Sequence, residues 1–221
     1  MRGRGGKMAF ILVALSVALG AQDATRLLPQ NYRSVFENAA VHVIHAHYAP
    51  HEKLPLHDHP PLPTVWVYLN DAGPIRFSHT EPRAYTLIRP GVAAGGFRID
   101  PGKSERHTVE NLSAGPSDFL QVELKQIPLG DTSLRARFRP RINRDHSSIA
   151  VDFDSPRLRI ERILCAAHSP CPLARAIYPT LEIAITPAGN LRWLPPGAAA
   201  PISQGDFAQW LRIEFKPSVR H

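Results

Sequence analysis

The chain has 221 residues, 43% of them hydrophobic, with 22 prolines, 14 glycines and a formal net charge of +7. Prolines and glycines at that density interrupt every candidate helix, which excludes a helical bundle and argues for short strands joined by turns. Residues 1–20 carry three basic and no acidic residues, and the +4 left without them is ordinary, so composition makes no case for a nucleic-acid partner.

The N-terminus reads as a secretory signal peptide. Arg2, Arg4 and Lys7 form a cationic start, Met8 to Leu19 is an apolar run too short to span a bilayer, and Ala18-Leu19-Gly20 offers small residues for cleavage. The expectation is a secreted or periplasmic protein with no stable membrane insertion once residues 1–20 are removed. The two cysteines, Cys165 and Cys171, would then meet oxidising conditions, and a local disulfide across Ala-Ala-His-Ser-Pro is expected there.

Strand signals follow as short alternating runs. Val41, Val43, His45 and His47 share one face of 40–48. Val65-Trp-Val-Tyr-Leu69, the turn residues Asn70-Asp-Ala-Gly73 and Ile75-Arg-Phe77 predict a hairpin. Further strands are expected over 83–88, 94–99, 106–110 and 119–125. Strands at this spacing predict an all-β sandwich or barrel.

The chain also repeats itself. Phe36-Glu37-Asn38 returns as Phe153-Asp154-Ser155, and His51 as His168. The segment 71–77 returns as 187–193, and Phe119-Leu-Gln-Val-Glu-Leu-Lys125 as Trp210-Leu-Arg-Ile-Glu-Phe-Lys216. The second copy lacks a counterpart of the stretch around 78–99. It sets Ala174-Arg175-Ala176 opposite His57-Asp58-His59 and Ile202 near His107. An Arg- and Pro-rich segment, 129–150, with Arg135, Arg137, Arg139, Arg141 and Arg144, joins the copies as a solvated linker.

His57-Asp58-His59 carries the chemistry. Alternate residues on a strand share a face, so H-x-H aims two imidazoles at one point. A third histidine from a distant strand, His107, would complete a three-ligand site with open positions. Strand alternation near His107 is read as turning Glu105 and Glu110 away from the ligand direction. Thr64, Trp66 and Tyr68 share one face of their strand and Val65, Val67 and Leu69 the other, with the interior face undecided. No nucleophile elbow, phosphate loop or dinucleotide fingerprint occurs.

His57-x-His59, followed by Gly95-x5-Pro101 and His107-x3-Asn111, resembles the two sequence motifs of the cupin superfamily. The resemblance covers residues 34–128 and extends to about 216 through the degenerate repeat. It implies an all-β, jelly-roll β-barrel fold in two tandem copies: a first cupin barrel over 34–128 and a truncated, degenerate cupin half over 151–216. It also implies one divalent metal site, with His57, His59 and His107 as ligands and Fe ahead of Mn, Ni, Cu or Zn. Pro63 and Thr64 stand where that family usually has a Glu or Gln, and His51 where it has a Gly. An additional ligand or pocket residue is sought among His45, His47, His51 and Thr64. Three histidines without a carboxylate resemble the thiol dioxygenase type, which implies an Fe(II)-dependent dioxygenase of a small organic substrate. The alternative is a non-catalytic cupin that binds or senses a sugar-like small molecule. Pairing of such barrels implies a homodimer.

Overall fold

The computed structural model describes residues 23–127, 129, 142–172, 175–199 and 205–217. Residues 1–20, where a signal peptide is expected, Arg135 to Arg141 of the expected linker, Ala174 and Ile202 lie outside the described residues. A short turn of helix, α1 (Ala24–Leu27), is capped by Asp23, whose carboxylate accepts from the Thr25 amide at 2.8 Å. Strands follow: β1 (Tyr32–Glu37), β2 (Val41–Tyr48), β3 (Lys53–His59), β4 (Thr64–Tyr68), β5 (Ile75–Glu81), β6 (Tyr85–Arg89), β7 (Phe97–Asp100), β8 (Glu105–Asn111) and β9 (Ser117–Leu124). β10 (Ser148–Asp154), β11 (Leu158–Cys165), β12 (Thr180–Thr186), β13 (Ala188–Leu194) and β14 (Ala208–Phe215) complete the set.

These strands form three layers. A four-stranded sheet, β3-β8-β5-β6, faces a five-stranded sheet, β1-β2-β9-β4-β7, and together they make a jelly-roll barrel. Ile44, Ala46, Tyr48 and Phe119 from one sheet meet Leu54, Ile75, Phe77 and Val109 from the other in its interior. A second five-stranded sheet, β10-β11-β14-β12-β13, packs on the barrel's outer face. There Val41, Val43, Val65, Val67 and Val122 interlock with Leu158, Ile160, Leu181, Ile183, Leu211 and Ile213. All are fully buried, and each contributes roughly 1.5–3 kcal/mol on removal from water. Val65 and Val67 thus face the third layer, which leaves Thr64, Trp66 and Tyr68 for the barrel interior.

The repeat is visible atom by atom. β1 and β10 each carry a bulge against the next strand, at Ser34/Phe36 and at Val151/Phe153. His51 and His168 both adopt left-handed backbone, at φ 57° and 56°. The Thr64 hydroxyl donates to Leu62 O at 2.9 Å, and the Thr180 hydroxyl to Tyr178 O at 2.7 Å. Lys125 reaches Glu37 and Asn38 O just as Lys216 reaches Asp154 and Ser155 O. Among the described residues the second copy is one sheet, not a closed barrel.

The hairpin expected over 65–77 does not form. β4 pairs with β9 on one edge and β7 on the other, so it has no edge left for β5. Ala72 bridges Val92 instead, and β5 crosses to the other sheet to pair with β8 and β6. The matching signal at 187–193 does form a hairpin, because β12 has no β7-like neighbour and β13 takes that edge. Gly95 is a close contact between the two units. Its φ is +73°, its carbonyl accepts from Arg162 Nη2 at 2.8 Å, and a Cβ there would fall 2.2 Å from Gln209 Nε2.

Candidate metal centre

β3 starts its inward face with Leu54. A bulge between Leu54 and His57 then lets two residues three apart both point inside. His57 and His59 follow by simple alternation. β8 lies beside β3 with His107 directly opposite His57, so two strands suffice to gather three imidazoles. Their ring centroids form a near-equilateral triangle: 5.0 Å for His57–His59, 5.0 Å for His57–His107 and 5.1 Å for His59–His107. One nitrogen from each lies within 4.8 Å of the others, a grouping that could hold a metal ion.

The environment keeps these rings neutral. His57 is fully buried and His107 is 3% exposed. Burial pushes the imidazoles of His57 and His107 below the ordinary histidine range, and the neighbouring imidazoles lower His107 further. His59 is pushed down to about 3, first by burial and then by His57. Neutral imidazole is the metal-binding form. His57 Nδ1 lies 2.8 Å from Pro55 O, which can only accept, so Nδ1 carries the proton and Nε2 keeps its lone pair. That Nε2 is 3.1 Å from the Tyr32 hydroxyl, itself 2.6 Å from the Tyr48 hydroxyl. Both nitrogens of His107 are buried without a hydrogen-bond partner among the described residues. Buried polar atoms left so are unusual, and a bound ion would satisfy one of them. The donor set therefore fits a divalent metal.

The other residues singled out in the sequence lie elsewhere. His45 and His47 sit on the opposite face of β2 from Ile44, Ala46 and Tyr48, and both reach Asp118, at 3.2 and 2.8 Å. Strand alternation carries them out of the barrel with Val41 and Val43, so they are not brought to the triad. His51 is exposed at the turn between β2 and β3. Thr64 faces inside, but its hydroxyl is spent on Leu62 O. Asn111, the last residue of the second motif, is structural: its amide donates to Ala49 O and Gly115 O and its oxygen accepts from Ser113. Cys165 and Cys171 are joined in a disulfide.

Two functional candidates escaped the sequence reading. Glu105 is two residues before His107 and therefore shares its face; the expectation that it points away is corrected by alternation itself. Glu110 does point away and binds Arg76 and Lys53 outside the barrel. His79 on β5 stands directly opposite His107 on its other side. His79, Glu105 and His107 form a second group whose ligand atoms lie within 4.8 Å of one another. A cleft of about 400 Å³ opens beside them, lined by His79, Glu81, Arg83, Tyr85, Lys103 and Glu105. Two guanidinium groups border the histidines: Arg98 lies over the Trp66 ring at 4.2 Å and Arg89 over the Phe77 ring at 4.3 Å. Phe77 in turn packs edge-on to His107 at 5.3 Å, and Trp66 to His59 at 6.2 Å.

No family model and no curated protein matches this sequence. Solved structures do. The protein GK1651 from Geobacillus kaustophilus is similar over 86% of this chain and 95% of its own, with a TM-score of 0.53 and 10% identity. A mutant of Bacillus subtilis oxalate decarboxylase is similar over 87% of this chain and 71% of its own, with a TM-score of 0.52 and 10% identity. A cupin 2 conserved barrel domain protein from Leptotrichia buccalis aligns over 84% and 88%, with a TM-score of 0.44 and 10% identity. At these identities the likeness of the first two is one of fold alone, a jelly roll of antiparallel strands. Among the described residues, no helix is long and apolar enough to cross a membrane.

Proposed function

We propose that this chain is an exported cupin-fold protein that holds a divalent metal through His57, His59 and His107 and acts on a small organic molecule as an Fe(II)-dependent dioxygenase. The observation that carries this reading is the triangle of three imidazoles, with His57 and His107 buried and directly opposite each other and His59 half-buried beside them. Bound Fe(II) would supply open coordination positions for O2 and substrate. The chain's own residues do the rest. Pro55 fixes the His57 tautomer, Tyr32 and Tyr48 close the barrel floor, and Trp66 and Phe77 keep water from the rings. Arg89 and Arg98 make the interior cationic, which suits a polar or anionic small molecule. The Cys165–Cys171 disulfide supports export, since such bonds persist in oxidising compartments.

Metal content of the purified chain tests this. We expect one divalent ion per chain in the wild type and at least a hundredfold weaker binding in His57→Ala/His107→Ala. Equal metal binding by that variant would end the three-histidine reading. A second reading, a non-catalytic cupin binding a sugar-like ligand, is favoured by one observation: Thr64, where the family carries a carboxylate, spends its hydroxyl on the backbone. Oxygen uptake by the iron-loaded protein across thiols, phenols and diketones separates the two. No uptake with any of them transfers the argument to binding.

A further inference from the structure

We propose that His79, Glu105 and His107 form a second divalent-cation position, with two imidazoles and one carboxylate, on the cleft side of the four-stranded sheet. This goes beyond the three-histidine reading and does not depend on it. The strands assemble it without strain. His79 and His107 are cross-strand partners on β5 and β8, and Glu105 precedes His107 by one alternation on the same face. Their ligand atoms lie within 4.8 Å of one another. His79 is only 3% exposed, and neither of its ring nitrogens has a hydrogen-bond partner among the described residues. Tyr85 stacks on that ring at 4.3 Å and 9°, which holds it flat against β6 with its edge turned to the cluster. Glu105 places Oε2 3.8 Å from His107 Nδ1 and Oε1 3.1 Å from Lys103 Nζ, so a cation already sits beside the carboxylate.

The cleft opens on the side of this position. It is lined by His79 and Glu105 but not by His57 or His59, so an ion there would have open coordination positions facing solvent. Two imidazoles and a carboxylate on one side of an ion form the facial arrangement that suits non-haem Fe(II) and, through the harder oxygen, Mn(II). His107 belongs to both groups, and a neutral imidazole offers a single lone pair. The two positions are therefore alternatives for one ion, with three imidazoles on one side of His107 and a mixed set on the other.

Mn(II) titration of the full chain, followed by loss of the free-ion paramagnetic resonance signal, reads this directly. His57→Ala/His59→Ala should keep one Mn(II) site within about tenfold of wild-type affinity. Adding His79→Ala or Glu105→Gln to it should weaken that site by at least a hundredfold, more than the 10–100-fold typical of a merely orienting group. A folded His57→Ala/His59→Ala variant with no Mn(II) site overturns the proposal and leaves the three-histidine reading standing. So does a residual site that survives both added substitutions. Unchanged affinity in His57→Ala/His59→Ala removes the three-histidine reading instead. If that variant does not fold, wild-type crystals soaked in Mn(II) decide: anomalous density among His79, Glu105 and His107 supports the proposal, and density confined to His57, His59 and His107, or none in either place, overturns it.

Discussion

The sheets β1-β2-β9-β4-β7 and β10-β11-β14-β12-β13 share strand order, an early bulge and a threonine anchored to the same backbone oxygen, but the faces that correspond carry different chemistry. In the first unit that face looks across the barrel at the four-stranded sheet and its histidines. In the second unit the equivalent face holds a buried ion network centred on Arg212, which is 1% exposed and lies 3.5 Å from Glu161, 3.5 Å from Glu182 and 3.8 Å from Glu214. His57, His59, His79, Glu105 and His107 all belong to β3, β5 and β8. The whole candidate centre thus rides on the sheet that has no counterpart among the described residues of the second unit, and the shared sheet is scaffold in both.

The contrast should appear most strongly in pH dependence. His57, His59, His79 and His107 of the first unit have folded-state pKa values below the ordinary value of about 6.5, about 3 for His59. Below pH 6.5 the unfolded chain binds protons that the folded metal-free chain refuses. Stability is full above pH 6.5 and falls as pH drops towards 3, by up to about 1.4 kcal/mol per pH unit for each such histidine. The second unit's Asp152 and Glu182 are raised by burial, so their contribution has the opposite sign and grows on acidification through their folded values. Urea unfolding of the metal-free chain from pH 7.5 to 4 should show a net loss. A flat profile would mean that the barrel does not bury its imidazoles as described.

Arg212 and Gln121 occupy matching places on β14 and β9, and their substitution sharpens the comparison. Arg212→Met leaves Glu161, Glu182 and Glu214 buried without their central cation and should cost about 3–5 kcal/mol. Gln121→Met removes one hydrogen bond to Glu123, 2.8 Å long, and should cost about 1–3 kcal/mol. Equal costs in denaturant unfolding would show that the second unit's ion network carries no special weight.

Strand alternation made much of the first unit legible from residues alone: His57, His59 and His107 are one alternation and one cross-strand step. Glu105 is equally legible, since it stands two before His107 and alternation puts the two on one face. His79 was not legible, because its place depends on β5 leaving β4 to pair with β8. The same topological step defeated the expected hairpin at 65–77, whose segment 71–77 matches residues 187–193 of the true β12–β13 hairpin. Local turn chemistry could not say which strand edge was already occupied. The stretch around 78–99 that the second copy lacks spans β6 and most of β7, so a truncated second copy was legible in the residues.

Thr64 and Thr180 allow the smallest but cleanest test. Thr64 was a candidate ligand by position, whereas Thr180 lies in the unit without histidines. Both are buried, at 5% and 0% exposure, and both donate to a carbonyl two residues earlier. If Thr64 is scaffold, Thr64→Val and Thr180→Val should each cost about 0.5–1.5 kcal/mol in denaturant unfolding, the ordinary worth of such a bond. Neither should change divalent-metal affinity. A selective loss of metal binding in Thr64→Val would return that hydroxyl to the centre, and would mean that the two sheets differ in function at a position where their hydrogen bonding matches.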